Sequence, residues 1–144
     1  MTYKQVKISV ENLLNSHPQI NDVRFATPRE WLKLEGQNNY PVCCFAMNNG
    51  QFDPGYKVFN LQLWFLDLAG VDGEFEVDVV SDQTEIANDI VGLLKQAYQS
   101  WEIDENISFD VVLEKFEDFL SGVQLSINLK TINTYDTCIS PTTL

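Results

Sequence analysis

The sequence predicts an α+β domain: an antiparallel sheet of about four to five strands with two helices packed on one face, in the order α-β-β-β-α-β-β. Three observations carry this. Val123, Leu125, Ile127 and Leu129 alternate with Gln124, Ser126, Asn128 and Lys130. A sustained period of two marks a strand with one buried face. The stretch "YKVFNLQLWFLDLA" (56–69) repeats the pattern, with Phe59, Leu61, Leu63 and Phe65 on one side and Val58, Asn60, Gln62 and Trp64 on the other. Finally, two stretches carry apolar residues at helical spacing: Tyr3, Val6, Val10, Leu13, Leu14, and then Ile86, Ile90, Leu93, Leu94, Ala97, Trp101.

The elements follow in order. A first amphipathic helix spans roughly 3–15 and is stopped by Pro18 after "NSH". A short extended piece, Ile20 to Ala26, places Val23 and Phe25 on one side. "TPREWLKLEGQNN" (27–39) reads as a loop with a partial helical turn around Trp31 and Leu34. "YPVCCFAMN" (40–48) is apolar and β-prone, and the turn formers of "NNGQFDPG" (48–55) connect it to 56–69 as a hairpin. A glycine-punctuated acidic connection follows, "GVDGEFEVDVVSDQTE". Asp82 and Glu85 have the spacing of a capping box, which predicts a helix over about 83–100. Strands at 106–116 and 123–132 close the chain. No internal repeat, low-complexity tract or second domain interrupts it, so residues 1–144 read as a single domain.

Composition fits a globular chain, with 44% hydrophobic and 12% aromatic residues. A chain of this length buries roughly 70% of the surface its unfolded form exposes. No apolar run reaches the ~18 residues that a membrane span needs. The N-terminus has no signal-peptide h-region or small-residue cleavage site, which predicts folding in a cytoplasm. Acids outnumber bases by 21 to 9, for a net charge of −12. The bases are scattered singly, whereas phosphate affinity comes from clustered Lys and Arg. Sequence-specific DNA binding is therefore not expected.

Catalytic and metal-binding patterns are equally absent from the sequence. His17 is the only histidine, so no triad can be built on it, and a structural role at the helix end is expected. Cys43, Cys44 and Cys138 form neither a disulfide framework nor C-x-x-C spacing; Cys43 and Cys44 should project to opposite sides of a strand as small buried hydrophobes. The acidic run Asp72, Glu74, Glu76, Asp78 fails the EF-hand pattern, since its sixth position is Val77. If that run is extended, the carboxylates at 74, 76 and 78 share one face. No phosphate-binding or dinucleotide-binding glycine motif is present. The expectation is a non-enzymatic protein with no catalytic residue, cofactor or metal.

The polar sides of the two best strands raise a question. A strand facing bulk water usually carries charge, yet Asn60, Gln62, Gln124, Ser126 and Asn128 are uncharged, and Trp64 lies among them. Amides and hydroxyls satisfy one another across a contact without burying charge. Trp is a favoured interface anchor. Two readings stay open: these six residues form an interface with a neighbouring subunit, or they lie beneath the 27–39 segment of the same chain.

Several short motifs, in order, carry a resemblance to a known family. They are "HPQINDVRF" (17–25), "YP" (40–41), "NN" (48–49), "FN" (59–60) with Asp67, "DVVSDQTEIANDI" (78–90), "FEDFLSGV" (116–123) and Cys138-x-x-Pro141. In this order the chain resembles the tail terminator or tail completion proteins of tailed-bacteriophage head–tail connectors, in the form found in phages of Bacteroidetes-like hosts. It departs from them at Val123, where an aromatic is commoner after "LAG", and Ser121 stands in for that Ala. The resemblance implies a non-enzymatic virion protein, assembled in the cytoplasm of a bacterial host and placed in the neck or tail. There it would form a six- or twelve-fold homo-oligomeric ring that meets portal, connector and tail proteins and leaves a channel for DNA. A closed ring needs two different complementary patches on each subunit. Asp72, Glu74, Glu76 and Asp78 are then candidates for lining the channel, with an outer solvated loop as the other reading. A rival from a different class is an acidic inhibitor or immunity-type module, which would use its charge to dock on a basic protein.

Overall fold

The computed structural model describes residues 1–33, 39–70, 75–97, 100–115 and 120–133. It has an α+β architecture, a five-stranded sheet with three helices. Helix α1 (Tyr3–Asn15) opens on a capping box: Gln5 N donates to Thr2 Oγ1 at 3.2 Å, and Thr2 N donates to Gln5 Oε1 at 2.8 Å. Val6, Val10 and Leu14 form its buried stripe. Strand β1 (Asp22–Phe25) follows, then the short helix α2 (Pro28–Leu32), capped by Thr27 and started by Pro28. Strands β2 (Val42–Asp53) and β3 (Tyr56–Leu68) make the hairpin. Its turn is Pro54-Gly55, and Gly55 has φ +79°, which suits the second central position of a type II turn. Helix α3 (Glu76–Gln96), β4 (Phe109–Lys115) and β5 (Leu120–Ile132) complete the order.

The strands lie in the order β1-β2-β3-β5-β4. Contrary to the all-antiparallel expectation, the sheet is mixed, because β1 runs parallel to β2, pairing Asp22 with Val42 and Phe25 with Phe45. A parallel neighbour requires a crossover, and the segment carrying α2 between β1 and β2 supplies it. The other pairs are antiparallel, and β3 and β5 stay in register from Tyr56–Ile132 to Leu68–Leu120. Gly122 sits in that ladder because a Cβ there would lie 1.8 Å from the Phe65 carbonyl oxygen.

Two helices, α1 and α3, cover one face. They close over Cys43, Phe45, Leu61, Leu63, Phe65, Val123, Leu125, Ile127 and Leu129. Trp101 seals the far end of α3, its Nε1 donating to the Leu94 carbonyl at 3.0 Å. The third helix, α2, lies on the opposite face, where Trp31 packs with Val42, Cys44, Leu66, Val112 and Leu120. Cys43 and Cys44 thus serve opposite faces, as strand alternation requires.

Two local expectations are corrected. Strand β2 does not end at 48. It continues to Asp53 through a bulge, where Ala46 faces Gln62 but Asn49 faces Asn60. The extra residue resets the alternation, so the "NN" that reads as a turn lies within a strand. Helix α3 begins at Glu76, well before 83, and has no side-chain cap; Asp82 lies inside it, exposed. The cause is that Val79 continues the apolar stripe of Ile86, Ala87, Ile90 and Leu94 two turns upstream, with Gln83 buried between them. Residues 76–78 are therefore helical, not extended. Glu76 and Asp78 lie in the first turn of a helix, where negative charge suits the macrodipole. Asp72 and Glu74 lie outside the described residues, as do Cys138 and Pro141.

Candidate functional site

The sheet face away from α1 and α3 divides into two parts. Nearest α2 it is apolar and covered. Trp31 is buried there, donates from Nε1 to Asp22 Oδ2 at 2.9 Å, and meets Tyr40 edge-on at 5.3 Å between ring centroids. Beyond Trp64 the face turns polar, and α2 does not reach it.

The register gathers the residues singled out from the sequence. Trp64 is opposite Gln124, Gln62 opposite Ser126, and Asn60 opposite Asn128. Asn60 Nδ2 donates to Ser126 Oγ at 3.0 Å and to Asn128 Oδ1 at 3.1 Å. Ser126 and Asn128 are exposed, and Asn60, Gln62 and Gln124 are half-buried. On the far side of Asn60 the bulge brings Asn49 into register, so an asparagine row, Asn49–Asn60–Asn128, crosses three strands. Charge returns toward the hairpin tip, where Lys130 Nζ sits 4.2 Å from the Tyr56 ring centroid, and on the edge strand β4, where the exposed Asp110 lies opposite Gln124.

All six predicted interface residues lie on this one face, but they do not share one environment. Trp64 is half-buried and packs against the α2 cluster of Trp31, Cys44 and Leu66. For Trp64, cover comes from its own chain. Among the described residues, the amides and Ser126 have no such cover. Asn49 is the member that sequence reading missed, because a bulge has no simple sequence signature and "NNG" suits a turn equally well.

Other chemistry-bearing groups are accounted for locally. His17 is buried at the end of α1. Its Nδ1 accepts from Gln19 N at 3.2 Å, so Nε2 carries the proton donated to Asp89 Oδ2 at 3.0 Å on α3. The residue ties two helices together, in line with its expected structural role. Burial pushes the Cys44 thiol up to about 12, with the nearby Asp22 charge adding to the effect, and burial, with Cys44 beside it, also holds the Cys43 thiol well above its ordinary value. Thiols held so firmly protonated are poor nucleophiles. Asp67, at the end of β3, has its carboxyl raised by burial and by Asp82, against the lowering effect of the Leu68 N–H it accepts at 2.8 Å. Among the described residues, no three His, Cys, Asp or Glu side chains are grouped to hold a metal ion. No helix among them is long and apolar enough to cross a membrane. No model of a known protein family matches the chain, and no curated protein is significantly similar to it.

Proposed function

We propose that this chain is a non-enzymatic structural subunit that assembles with copies of itself through the uncharged part of its open sheet face, as a ring of the head–tail connector kind. The observation that carries the reading is the charge-free row of Asn49, Asn60 and Asn128, with Gln62 and Ser126 beside it. A surface kept for water gains solubility from charge and loses nothing by it. A surface kept for a protein contact does better with amides, because a buried unpaired charge costs several kcal/mol whereas a satisfied amide costs little. The row is also partly pre-ordered, since Asn60 already holds Ser126 and Asn128 in place.

In the ring reading, the net charge of −12 is multiplied around the assembly, and a wall of that sign lets DNA pass without adhering. The location in a virion neck or tail, the six- or twelve-fold symmetry and the portal and tail neighbours belong to this proposal through the resemblance of the ordered motifs. Glu76 and Asp78, at the start of α3, remain its described candidates for a channel surface.

The same negative charge favours a second reading, an acidic module that docks on a basic protein. Light scattering on a size-exclusion column at low and moderate salt separates the two. The ring predicts a mass of six or twelve times 16.5 kDa. It further predicts that Asn60→Asp with Asn128→Asp, which places like charges opposite each other, returns a folded monomer. A wild-type monomer at both salts, unchanged by the double substitution, overturns self-assembly through this face.

A further inference from the structure

On the helix-covered side, where α3 passes the end of β3, an open cleft of about 520 Å³ is lined by Asp67, Asp82, Gln83, Glu85, Asn21 and Pro41, among others. We infer that this cleft receives a guanidinium group, the arginine side chain of a second protein chain. The inference is independent of the open sheet face and stands or falls without it.

The first observation is Gln83. It is 1% exposed, lies on the buried stripe of α3, and has no hydrogen-bond partner among the described residues. Other buried polar side chains are paired: Thr131 Oγ1 donates to the Lys57 carbonyl, and His17 bridges to Asp89. A buried amide lining a cleft without a partner calls for an explanation, and a ligand that completes its hydrogen bonds is one.

The second observation is the sign of the surrounding groups. Asp67, Asp82 and Glu85 are carboxylates, and they come from two elements, β3 and α3. Asn21 donates its amide to the Tyr40 carbonyl at 2.6 Å, which leaves its oxygen as an acceptor. The cleft is thus rich in acceptors. The ion pairs among the described residues are Lys7–Glu11, His17–Asp89 and Arg24–Asp22, and none of them brings a cation to Asp67, Asp82 or Glu85. Burial and the Asp82 charge both work against ionised Asp67, and a cation seated beside it would relieve both.

The third consideration selects the cation. A metal ion is disfavoured because these carboxylates are not grouped to hold one. A guanidinium presents five N–H donors in a planar fork, enough to engage a carboxylate in two places and an amide oxygen besides. Its aliphatic stem would lie along Pro41 and Ile86, the apolar part of the wall. An ammonium is a compact point charge and lacks the planar fork that engages several acceptors at once.

The test is an amide-detected NMR titration of the whole chain with a capped Gly-Arg-Gly peptide, with its lysine analogue and calcium chloride titrated separately. The expected result is a saturable response centred on Asp67 and Asp82–Ile86, stronger for arginine than for lysine. Asp67→Asn should weaken it about tenfold or more, as loss of a charge-assisted pair does. Gln83→Leu should weaken it several-fold while leaving the melting temperature equal or higher, and Asp104→Asn, outside the cleft, should leave affinity unchanged. If Asp67→Asn or Gln83→Leu fails to fold, Asp82→Asn on the exposed side of α3 takes its place, with the same expected loss. The inference is overturned by no saturable response to the peptide, by equal affinity for the Asp67 and Asp104 variants, by a lysine response equal to that of arginine, or by calcium alone saturating the site.

Discussion

The two ends of the open sheet face are built on the same strands and end in different chemistry. At one end, Val42, Cys44, Leu66, Val112 and Leu120 are apolar, and α2 lays Trp31 over them. At the other, Asn49, Asn60, Gln62, Ser126 and Asn128 are polar, and α2 leaves them open. The change falls at Trp64 and Gln124, which face each other across β3 and β5. Apolar surface on a strand demands cover, because each exposed Å² costs free energy. Amides that bond one another across strands make no such demand. The chain therefore encloses one end by itself, and among the described residues it leaves the other available; that availability is what the proposed assembly role rests on.

The largest effect that tests this difference is at the covered end. Trp31→Ala should destabilise the fold by about 3–5 kcal/mol, the usual range for removing a large buried aromatic. It also strands Asp22 Oδ2 without the indole N–H it accepts. Urea unfolding gives the number. A loss below about 1 kcal/mol would mean that α2 is an ornament on the sheet and that the two ends differ only in composition.

How far this division was legible in the sequence depends on the kind of signal. Alternation along β3 and β5 is a local pattern, and it places Phe59, Leu61, Leu63 and Phe65 correctly against α1 and α3. Helical spacing does the same for α1. What the sequence left open was which polar residues Trp31 would cover, because α2 reaches the sheet through a crossover and its landing place is a tertiary fact. The parallel pairing of β1 was hidden for the same reason, since four residues carry no sign of strand direction. The start of α3 was misplaced for a different one. Asp82 and Glu85 have a cap's spacing, but burial of Val79, one turn further upstream, outweighed a local preference that is worth only about 1 kcal/mol. By contrast, two caps that do form, Thr2 with Gln5 and Thr27 with Glu30, have the same spacing but were not singled out from the sequence. Side-chain spacing proposes caps, and the length of the buried stripe selects among them.

A smaller effect contrasts the uncharged asparagine row of the open face with the other side of the sheet, where Asp67 holds a carboxylate that is half-buried. Its folded-state value is raised by burial and by Asp82, despite the Leu68 N–H. A carboxyl raised in the folded state above its unfolded value of about 3.9 binds its proton more tightly when folded. Its contribution to stability is then most favourable below the unfolded value and is lost as pH rises through the folded one. Asp67→Asn should therefore stabilise the chain at neutral pH, and the advantage should shrink as pH falls into the carboxylate range. Urea midpoints of both proteins from about pH 3 to pH 7 measure this. An advantage that grows as pH falls would show that the Leu68 hydrogen bond outweighs burial.

The smallest expected effect is at the polar end, and its smallness is what gives it meaning. Asn60→Ala removes the donor that bridges Ser126 and Asn128. Both partners are exposed and can turn to water, so folding stability should change by no more than about 0.5 kcal/mol. If the row serves only to hold strands together, stability is all the substitution can alter, and the mass in solution will match that of the wild type. If the row meets another subunit, the same substitution removes a pre-ordered donor from a contact where water cannot replace it. The oligomer should then dissociate at a higher protein concentration while the urea midpoint, measured on the dissociated chain, stays put. A variant that loses stability at Asn60 as heavily as at Trp31 would show that the open end is held as tightly as the covered one. The contrast between the two ends would then no longer point to a partner.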